Sequence, residues 1–303
     1  MADLRVNVAG VSFENPVIPA SGAFGFGHEY EKLYPLSRLG GISVKGMTRL
    51  PKVGNPPPRI AETPMGMLNS VGLQNPGIDH FIEKELPYLS GKGTRIIANV
   101  AGSTVEDCVA MAEKLEDTAV DMIELNISCP NVKQGGAAFG TSCEAAAGIT
   151  EAVRKATSKP LMVKLSPNVT DITAIAKAVE AAGADAVSLI NTLLGMRIDL
   201  NSRRPVLKNN VGGMSGPAVF PIAVRMVWQV ANAVKIPVVG MGGISSGKDA
   251  IEMMMAGASA VQVGAAIFTD PYAPLKIIDG MNRWLDDHGI ASVREIVGTV
   301  QPW

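Results

Sequence analysis

The 303-residue sequence contains little cysteine and almost no net charge. Its cysteines are Cys108, Cys129 and Cys143, an odd number without a C-x-x-C pair. Neither a disulfide framework nor a zinc or iron–sulfur site is therefore expected within this chain. A net charge of −1 gives no broad attraction for nucleic acid or for an anionic membrane. These scarcities favour a protein of a reducing compartment that does not bind nucleic acid.

Long apolar runs are also missing. No stretch of about 18 or more consecutive apolar residues is present, so we expect no membrane-spanning helix. The first residues, Met-Ala-Asp-Leu-Arg, lack the basic and then apolar pattern of a secretory signal. We therefore expect a cytoplasmic protein that makes no contact with a membrane.

Short runs rich in valine and isoleucine recur along the whole chain. Their apolar character is nearly continuous rather than alternating, which is typical of strands buried on both faces of a parallel sheet. The candidate strands are 17–22, 41–46, 96–100, 122–128, 161–166, 186–192, 237–243 and 260–265. A chain in which 47% of the residues are hydrophobic can bury the core that such a sheet requires.

Segments with helical periodicity separate these strands. A helix over 105–118 follows Ser103 and Thr104, which are candidate caps, and a helix over 171–182 ends at Gly183. Strand and helix alternating eight times predict a closed (β/α)₈ barrel. A doubly wound sheet is the alternative, but no G-x-G-x-x-G turn follows the first strand.

Two segments are too long to be plain connections. Residues 47–77 and 193–216 each follow the carboxyl end of a predicted strand, the face where barrel active sites form. Long loops at that face are often binding loops or lids. We therefore predict an α/β protein with one domain over residues 1–303, a (β/α)₈ TIM barrel with loops inserted at the carboxyl ends of its strands.

Polar side chains gather at the same strand ends. They are Ser21, Lys45, Asn99, Asn126, Cys129, Lys164, Asn191 and Thr192. A lysine or asparagine inside an apolar strand is costly unless it meets a partner. Several of them converging on one rim indicate a polar ligand, with simple solvation of the rim as the alternative.

Glycines cluster after the last two predicted strands, at Gly242, Gly243 and Gly264, the last followed by Ala265. Barrels often bind phosphate there, because backbone N–H groups face the anion and glycine allows the backbone to approach it closely. Tight turns without a ligand explain the spacing equally well.

Cys129 lies within the motif Asn-Ile-Ser-Cys-Pro-Asn at 126–131. A lone cysteine is usually a small buried hydrophobe. One on a polar loop beside a ligand pocket is well placed to be a nucleophile or a base. Cys108 falls on the apolar stripe of a helix and is expected in the core. The three histidines have no metal-ligand spacing, so we predict no metal site.

Together these motifs resemble the dihydroorotate dehydrogenase family over essentially the whole chain. The most specific are SVKGM at 43–47, NSVGLQN at 69–75, NISCPN at 126–131 and VKLSPN at 163–168. The stretch LQNPG at 73–77 is similar to the NAD-linked B-type branch rather than the fumarate-linked one. The quinone-linked membrane branch has serine where this chain has Cys129, so the resemblance does not extend to that branch.

The resemblance implies an FMN-dependent oxidoreductase that converts dihydroorotate to orotate in pyrimidine biosynthesis, with one FMN per chain. It assigns FMN binding to Ser21, Lys45, Gly46, Asn99, Asn126, Lys164, Ile190, Gly216, Gly242, Gly243, Gly264 and Ala265. It assigns substrate binding to Lys45, Asn69, Ser70, Val71, Gly72, Leu73, Asn126, Asn191 and Thr192. Cys129 would be the base that removes the C5 proton, while hydride from C6 goes to FMN N5. Relatives often have threonine in place of Ala265, so the resemblance does not carry over that hydroxyl contact.

The resemblance also implies a partner subunit that carries FAD and a [2Fe–2S] cluster and passes electrons to NAD⁺. Two such partners on a homodimer of this chain would make a heterotetramer. Other FMN barrels, such as dihydropyrimidine dehydrogenase and the fumarate-linked dihydroorotate enzyme, are the nearest alternatives. A non-catalytic barrel that binds a phosphate ligand is the alternative from another class.

Overall fold

The computed structural model describes residues 1–128 and 139–303. At its centre lies a parallel sheet whose strands are β1 Val17–Pro19, β2 Gly41–Ser43, β3 Arg95–Val100, β4 Met122–Asn126, β5 Leu161–Lys164, β6 Ala186–Leu189, β7 Val238–Met241 and β8 Ala260–Val263. All eight predicted strands are confirmed. Except in β3, each predicted run extends two or three residues beyond the observed strand. All of those extra residues except Pro237 follow the carboxyl end of their strand.

The sheet closes into a barrel. Its strand order is β1-β8-β7-β6-β5-β4-β3-β2, with every hydrogen-bonded pair parallel. Across the remaining seam, the Gly40 N–H donates to the Val17 carbonyl oxygen at 3.1 Å. The predicted (β/α)₈ barrel is therefore confirmed, and the carboxyl ends of all its strands meet at one rim.

Helices alternate with the strands. The longer ones are α1 Val105–Leu115, α2 Cys143–Ala156, α3 Ile172–Ala181, α4 Phe220–Ala231, α5 Gly247–Met255 and α6 Ala273–Asp287. Short helical segments lie at Leu36–Arg38, His28–Glu31, Ile78–His80, Phe81–Glu85, Leu86–Ser90, Pro217–Val219, Ala266–Thr269 and Val293–Ile296. Within the described chain, no helix has both the length and the apolar character needed to cross a bilayer.

Local sequence signals set the helix ends. The Thr104 hydroxyl accepts a hydrogen bond from the Asp107 N–H at 3.1 Å, so Thr104 rather than Ser103 caps α1. Gly183 ends α3 with a φ of +97°, a conformation that favours glycine. The helix predicted over 105–118 ends earlier, at Leu115, where turn hydrogen bonds between residues three apart replace the helical ones: the Thr118 N–H donates to the Leu115 carbonyl oxygen at 3.1 Å.

An antiparallel hairpin, Val6–Val8 with Val11–Phe13, covers the amino-terminal end of the barrel. Its buried face carries Val6, Val8 and Phe13. The Phe13 ring lies so close to Gly41 that a Cβ there would meet it at 2.9 Å. Arg95, the first residue of β3, donates to the Ser12 carbonyl oxygen at 2.9 Å. The hairpin therefore seals this end of the barrel.

The two long inserted segments pair with each other. Leu193–Gly195, Gly212–Ser215, Gly66–Asn69 and Ile60–Thr63 form, in that order, a four-stranded antiparallel sheet, which we call the inserted sheet. A small hairpin, Ile198–Asp199 with Arg204–Pro205, extends from it. The segments follow β2 and β6, so the inserted sheet stands over the carboxyl rim. The predicted insertions are present there, as a sheet rather than as loops.

Cysteine and histidine build no metal site in the part of the chain that the structure describes. No three His, Cys, Asp or Glu side chains there come together in a way that could hold an ion. Cys108 is buried in α1, as predicted, and burial raises the pKa of its thiol to about 12. Cys143 is exposed at the start of α2.

Candidate active site

The carboxyl ends of the barrel strands surround an open cavity of about 1220 Å³, its mouth included. The strand ends and the turns after them contribute Ser21, Lys45, Gly46, Asn99, Asn126, Lys164, Ile190, Asn191, Thr192, Gly242, Gly243, Gly264 and Ala265 to its wall. The inserted sheet and its flanks contribute Asn69, Val71, Gly72, Leu73 and Gly216. Cys129 lies outside the described residues. The structure thus brings the other predicted site residues together, with Ser70 as the exception.

Ser70 lies behind the cavity wall. Its N–H donates to the Arg59 carbonyl oxygen at 2.7 Å, and its own carbonyl oxygen accepts from Asn55 Nδ2 at 2.9 Å. The side chain is fully buried, and its hydroxyl has no hydrogen-bond partner among the described residues. Ser70 therefore supports the 69–73 segment through its backbone, while its neighbours face the cavity.

Two lysines face the cavity from β5 and from the end of β2. Lys164 is only 5% exposed, and in the described part of the chain its ammonium has no hydrogen bond or ion pair. Lys45 is partly buried, and its backbone N–H donates to the Gly25 carbonyl oxygen at 2.9 Å. A cation with so little access to water is stabilised by an anionic or electron-rich group. The cavity therefore suits an anionic or electron-rich ligand.

Amide side chains from three strand ends form a chain of hydrogen bonds along one side of the cavity. Asn126 Nδ2 donates to Asn99 Oδ1 at 3.4 Å, and the Ser128 hydroxyl donates to Asn126 Oδ1 at 3.0 Å. Asn191 Nδ2 in turn donates to Ser128 Oγ at 2.8 Å. Each amide offers both a donor and an acceptor, so the row suits a planar ligand with alternating N–H and C=O groups.

Below the cavity lies a buried carboxylate, Glu124, that was not predicted from the sequence. Glu124 on β4 is fully buried and accepts hydrogen bonds from Ser43 Oγ at 2.8 Å, Asn99 Nδ2 at 2.6 Å, Ser188 Oγ at 2.8 Å and Gln262 Nε2 at 2.7 Å. These donors come from four other strands. Burial raises the pKa of Glu124, but the Lys164 charge and the hydrogen bonds outweigh it and hold the pKa below its ordinary value. The carboxylate is therefore ionised.

Glycine is required at two points of the wall for different reasons. A Cβ at Gly46 would lie 2.8 Å from Asn99 Oδ1, so only glycine lets the β2 end pass this amide. Gly243 has a φ of +76°, and a Cβ there would lie 2.7 Å from Phe220 Cβ. Beside it, a Cβ at Gly264 would meet only Ala20, at 3.8 Å, which leaves space open to a ligand. Ala265 adds no hydroxyl to this corner.

Part of the wall was not predicted at all. These further lining residues are Ala20, Gly22, Ala23, Ile60, Met67, Met214, Ser215, Val219, Met241, Gln262 and Phe268. Ile60, Met67 and Met214 reach the cavity only because the inserted segments pair with each other, and no local sequence signal indicates that pairing. Gln262, a polar residue within an apolar strand, carried the same signal that singled out the lysines and asparagines.

The fold and the cavity define a (β/α)₈ barrel with a lysine- and amide-lined cavity at its carboxyl rim. The family model described as dihydroorotate dehydrogenase matches residues 3–285. "Dihydroorotate dehydrogenase B (NAD(+)), catalytic subunit" of Bacteroides thetaiotaomicron is 56% identical over 302 residues, covering 99% of this chain and 100% of the relative. Proteins with the same name from Phocaeicola vulgatus and Alkaliphilus metalliredigens are 57% and 54% identical, covering 99% and 98% of this chain and 100% and 99% of their own lengths. The chain belongs to the dihydroorotate dehydrogenase family, which confirms the predicted resemblance.

Proposed function

We propose that this chain is the FMN-containing catalytic subunit of an NAD-linked enzyme that oxidises dihydroorotate to orotate in pyrimidine biosynthesis. The whole chain would act as one catalytic domain. The observation that carries the proposal is that two lysines and a row of amides converge on one cavity. The chain is also more than half identical to relatives named as catalytic subunits of dihydroorotate dehydrogenase B (NAD(+)).

The cavity fits FMN in three respects. Lys164 supplies a buried cation that makes no hydrogen bond or ion pair with the described residues, and such a cation favours a flavin that gains negative charge on reduction. Gly216, Gly242, Gly243, Gly264 and Ala265 line the part of the wall where backbone can approach a phosphate closely. Ser21, Lys45, Gly46, Asn99, Asn126 and Ile190 complete the proposed contacts. When bound, FMN supplies the acceptor for the hydride that leaves the substrate.

The remaining polar groups suit dihydroorotate. Its carboxylate would pair with the Lys45 ammonium, and its cyclic urea and amide edges would bond to Asn126, Asn191 and Thr192, which can donate and accept. Asn69 and the 71–73 segment would hold the ring from the side of the inserted sheet. Such fixed contacts orient the C5 and C6 atoms for proton and hydride removal.

Cys129 remains the proposed base for the C5 proton, although it lies outside the described residues. Its chain neighbour Ser128 is fully buried and hydrogen-bonded to both Asn126 and Asn191 on the cavity wall. That anchorage supports a role for the next residue in the reaction. A cysteine can accept a proton in its thiolate form.

We further propose a cytoplasmic assembly in which electrons leave this chain through a partner subunit with FAD and a [2Fe–2S] cluster. Two partners on a homodimer would form a heterotetramer. The words "NAD(+)" and "catalytic subunit" in the names of the relatives support this. The purified chain alone is then expected to reduce artificial acceptors quickly and NAD⁺ poorly.

An anaerobic spectrum of the purified chain tests the proposal. We expect a visible flavin band that dihydroorotate bleaches within one catalytic turnover and that dihydrouracil leaves unchanged. A chain that binds no flavin, or whose flavin is not bleached, would contradict the proposed activity. Bleaching by dihydrouracil, or reoxidation of the bleached flavin by fumarate, would favour the related FMN barrels instead.

A further inference from the structure

The buried carboxylate of Glu124 fixes the orientation of two amides on the cavity wall. An ionised carboxylate only accepts hydrogen bonds, so each amide next to it must turn its NH₂ group towards it. Asn99 Nδ2 and Gln262 Nε2 do so, at 2.6 Å and 2.7 Å. The carbonyl oxygens of both amides must then point away from Glu124.

These two carbonyl oxygens meet different surroundings. Asn99 Oδ1 accepts from Asn126 Nδ2 at 3.4 Å on the cavity wall. Gln262 Oε1 is buried and has no partner within residues 1–128 and 139–303, although Gln262 lines the cavity. A buried acceptor without a donor is costly, and native proteins seldom leave one unsatisfied. Gln262 therefore presents an acceptor that lacks its donor.

The same carboxylate lies beneath the cationic part of the cavity. Asn126 is the register partner of Lys164, and Glu124 is the partner of Met162, two residues deeper along the strands. Glu124 thus lies about 6 to 7 Å further into the barrel. The two charges are not in direct contact, so the Lys164 ammonium remains available at the cavity while Glu124 offsets its charge from below.

We propose that Glu124 is a positioning residue for the flavin and that Gln262 is an additional flavin-binding residue. Gln262 Oε1 would accept a hydrogen bond from the N–H of the flavin ring, and Glu124 would hold that oxygen and Asn99 Oδ1 in their acceptor orientation. Glu124 would also set how strongly Lys164 favours reduced flavin. This inference rests on the proposed function, because it requires FMN in the cavity.

The reduction potential of bound FMN separates this role from a purely structural one. Glu124→Gln keeps the shape and removes the negative charge, so Lys164 is no longer offset and reduced FMN is favoured. At a fixed applied potential we expect the ratio of reduced to oxidised FMN to rise about tenfold, equivalent to about +30 mV for a two-electron couple. Lys164→Gln is expected to change the ratio in the opposite direction.

Ser188→Ala is the matched control. It removes one hydroxyl donor to Glu124, and Ser188 is absent from the cavity wall as far as the described residues define it. We expect lower thermal stability and an unchanged reduction potential. If Glu124→Gln likewise only lowers stability, with potential and FMN affinity as in the wild type, the positioning role is wrong.

Gln262→Met provides a second readout that does not depend on the folding of the Glu124 variant. It preserves length and removes the acceptor, so the Kd for FMN, measured on apoprotein by flavin fluorescence, is expected to rise about tenfold. An unchanged Kd would overturn the binding role of Gln262. A wild-type chain that does not bind FMN would instead overturn the proposed function, and this inference with it.

Discussion

Polar groups at the two ends of the barrel differ in how completely the described residues satisfy them. At the amino end, Asp121 accepts from the Ile96 N–H at 2.8 Å and pairs with Arg95 at 3.0 Å. Asp185 repeats the arrangement there with the Leu161 N–H, at 2.8 Å, and with Arg154, at 2.6 Å. At the carboxyl end, the Lys164 ammonium and Gln262 Oε1 have no such partners among the residues that the structure describes.

We therefore expect residues at the amino end to determine the stability of the fold and residues at the carboxyl end to determine ligand binding. Polar groups satisfied within the chain contribute to folding, whereas groups left for a ligand contribute only when it is bound. Substitutions at the amino end should therefore change stability and leave the chemistry intact. Substitutions at the carboxyl end should change ligand binding or catalysis and leave stability nearly unchanged.

The largest expected effect is at the carboxyl end. Cys129→Ala removes the proposed base, so kcat is expected to fall by about 10²- to 10⁴-fold. Thermal stability and FMN content should stay as in the wild type, which absorbance and melting curves would show. Cys143→Ala, at an exposed position at the start of α2, is the control and should keep full activity. A Cys129 variant with most of its activity would remove that residue from the mechanism.

A substitution in the amino-terminal hairpin is expected to lower stability without changing activity. Phe13→Ala empties a buried site at the amino end and is expected to lower the free energy of unfolding by about 3 to 5 kcal/mol. The kcat/KM of the folded variant should be unchanged, because Phe13 lies at the far end of the barrel. Ser12→Ala, at an exposed position on the same strand, should change stability little. A large loss of kcat/KM in the folded Phe13 variant would break the separation between the two ends.

A steric change at the rim should affect ligand binding more than folding. The methyl group of Gly46→Ala would meet Asn99 Oδ1 at 2.8 Å and displace this amide, so the Kd for FMN is expected to rise about tenfold. Titration of apoprotein with FMN measures the change. Gly148→Ala, where a Cβ meets nothing within 4 Å, is the control. Equal Kd values for the two variants would exclude steric control of Asn99 by Gly46.

The smallest effect concerns acid stability at the amino end. Hydrogen bonds from the Ser158 hydroxyl, the Thr157 hydroxyl and the Ser158 N–H lower the pKa of Glu116 to about 2 from 4.5. Because the folded pKa is depressed, this carboxylate stabilises the fold above about pH 4.5, and the contribution is lost as the pH falls towards 2. Solvent screening limits it to at most about 1 kcal/mol.

Melting temperatures between pH 7 and pH 2 would test this. Glu116→Gln is expected to flatten part of the decline below pH 4.5, whereas Glu113→Gln, at an exposed position in the last turn of α1, should follow the wild-type curve. Identical curves for wild type and Glu116→Gln would show that this carboxylate does not contribute to acid stability.

The sequence predicts the parts of the fold that depend on neighbouring residues. The eight apolar runs, the cap at Thr104 and the helix end at Gly183 are local signals, and each appears in the structure. The inserted sheet could not be predicted because its register, with Asn69 opposite Gly213, joins residues 144 positions apart. Non-local pairing of this kind leaves no local pattern.

The candidate site was predictable to a similar extent. Of the described residues that the family resemblance singles out, all but Ser70 line the wall, and Ser70 shows that adjacent residues of one motif can face opposite sides. Glu124 and Gln262 were missed although each is a polar residue within an apolar strand. A carboxylate buried within a barrel strand needs hydrogen-bond donors from the neighbouring strands, and that requirement points from Glu124 to Gln262.

The pairing of the two insertions has a consequence for how specificity can evolve in this barrel. In a chimera with residues 47–77 from a relative and residues 193–216 from this chain, the paired strands of the inserted sheet would come from two different proteins. Their side chains would not have evolved to pack against each other. The two segments of the inserted sheet must therefore change together. Transferring the substrate preference of a relative to this chain requires replacing both segments.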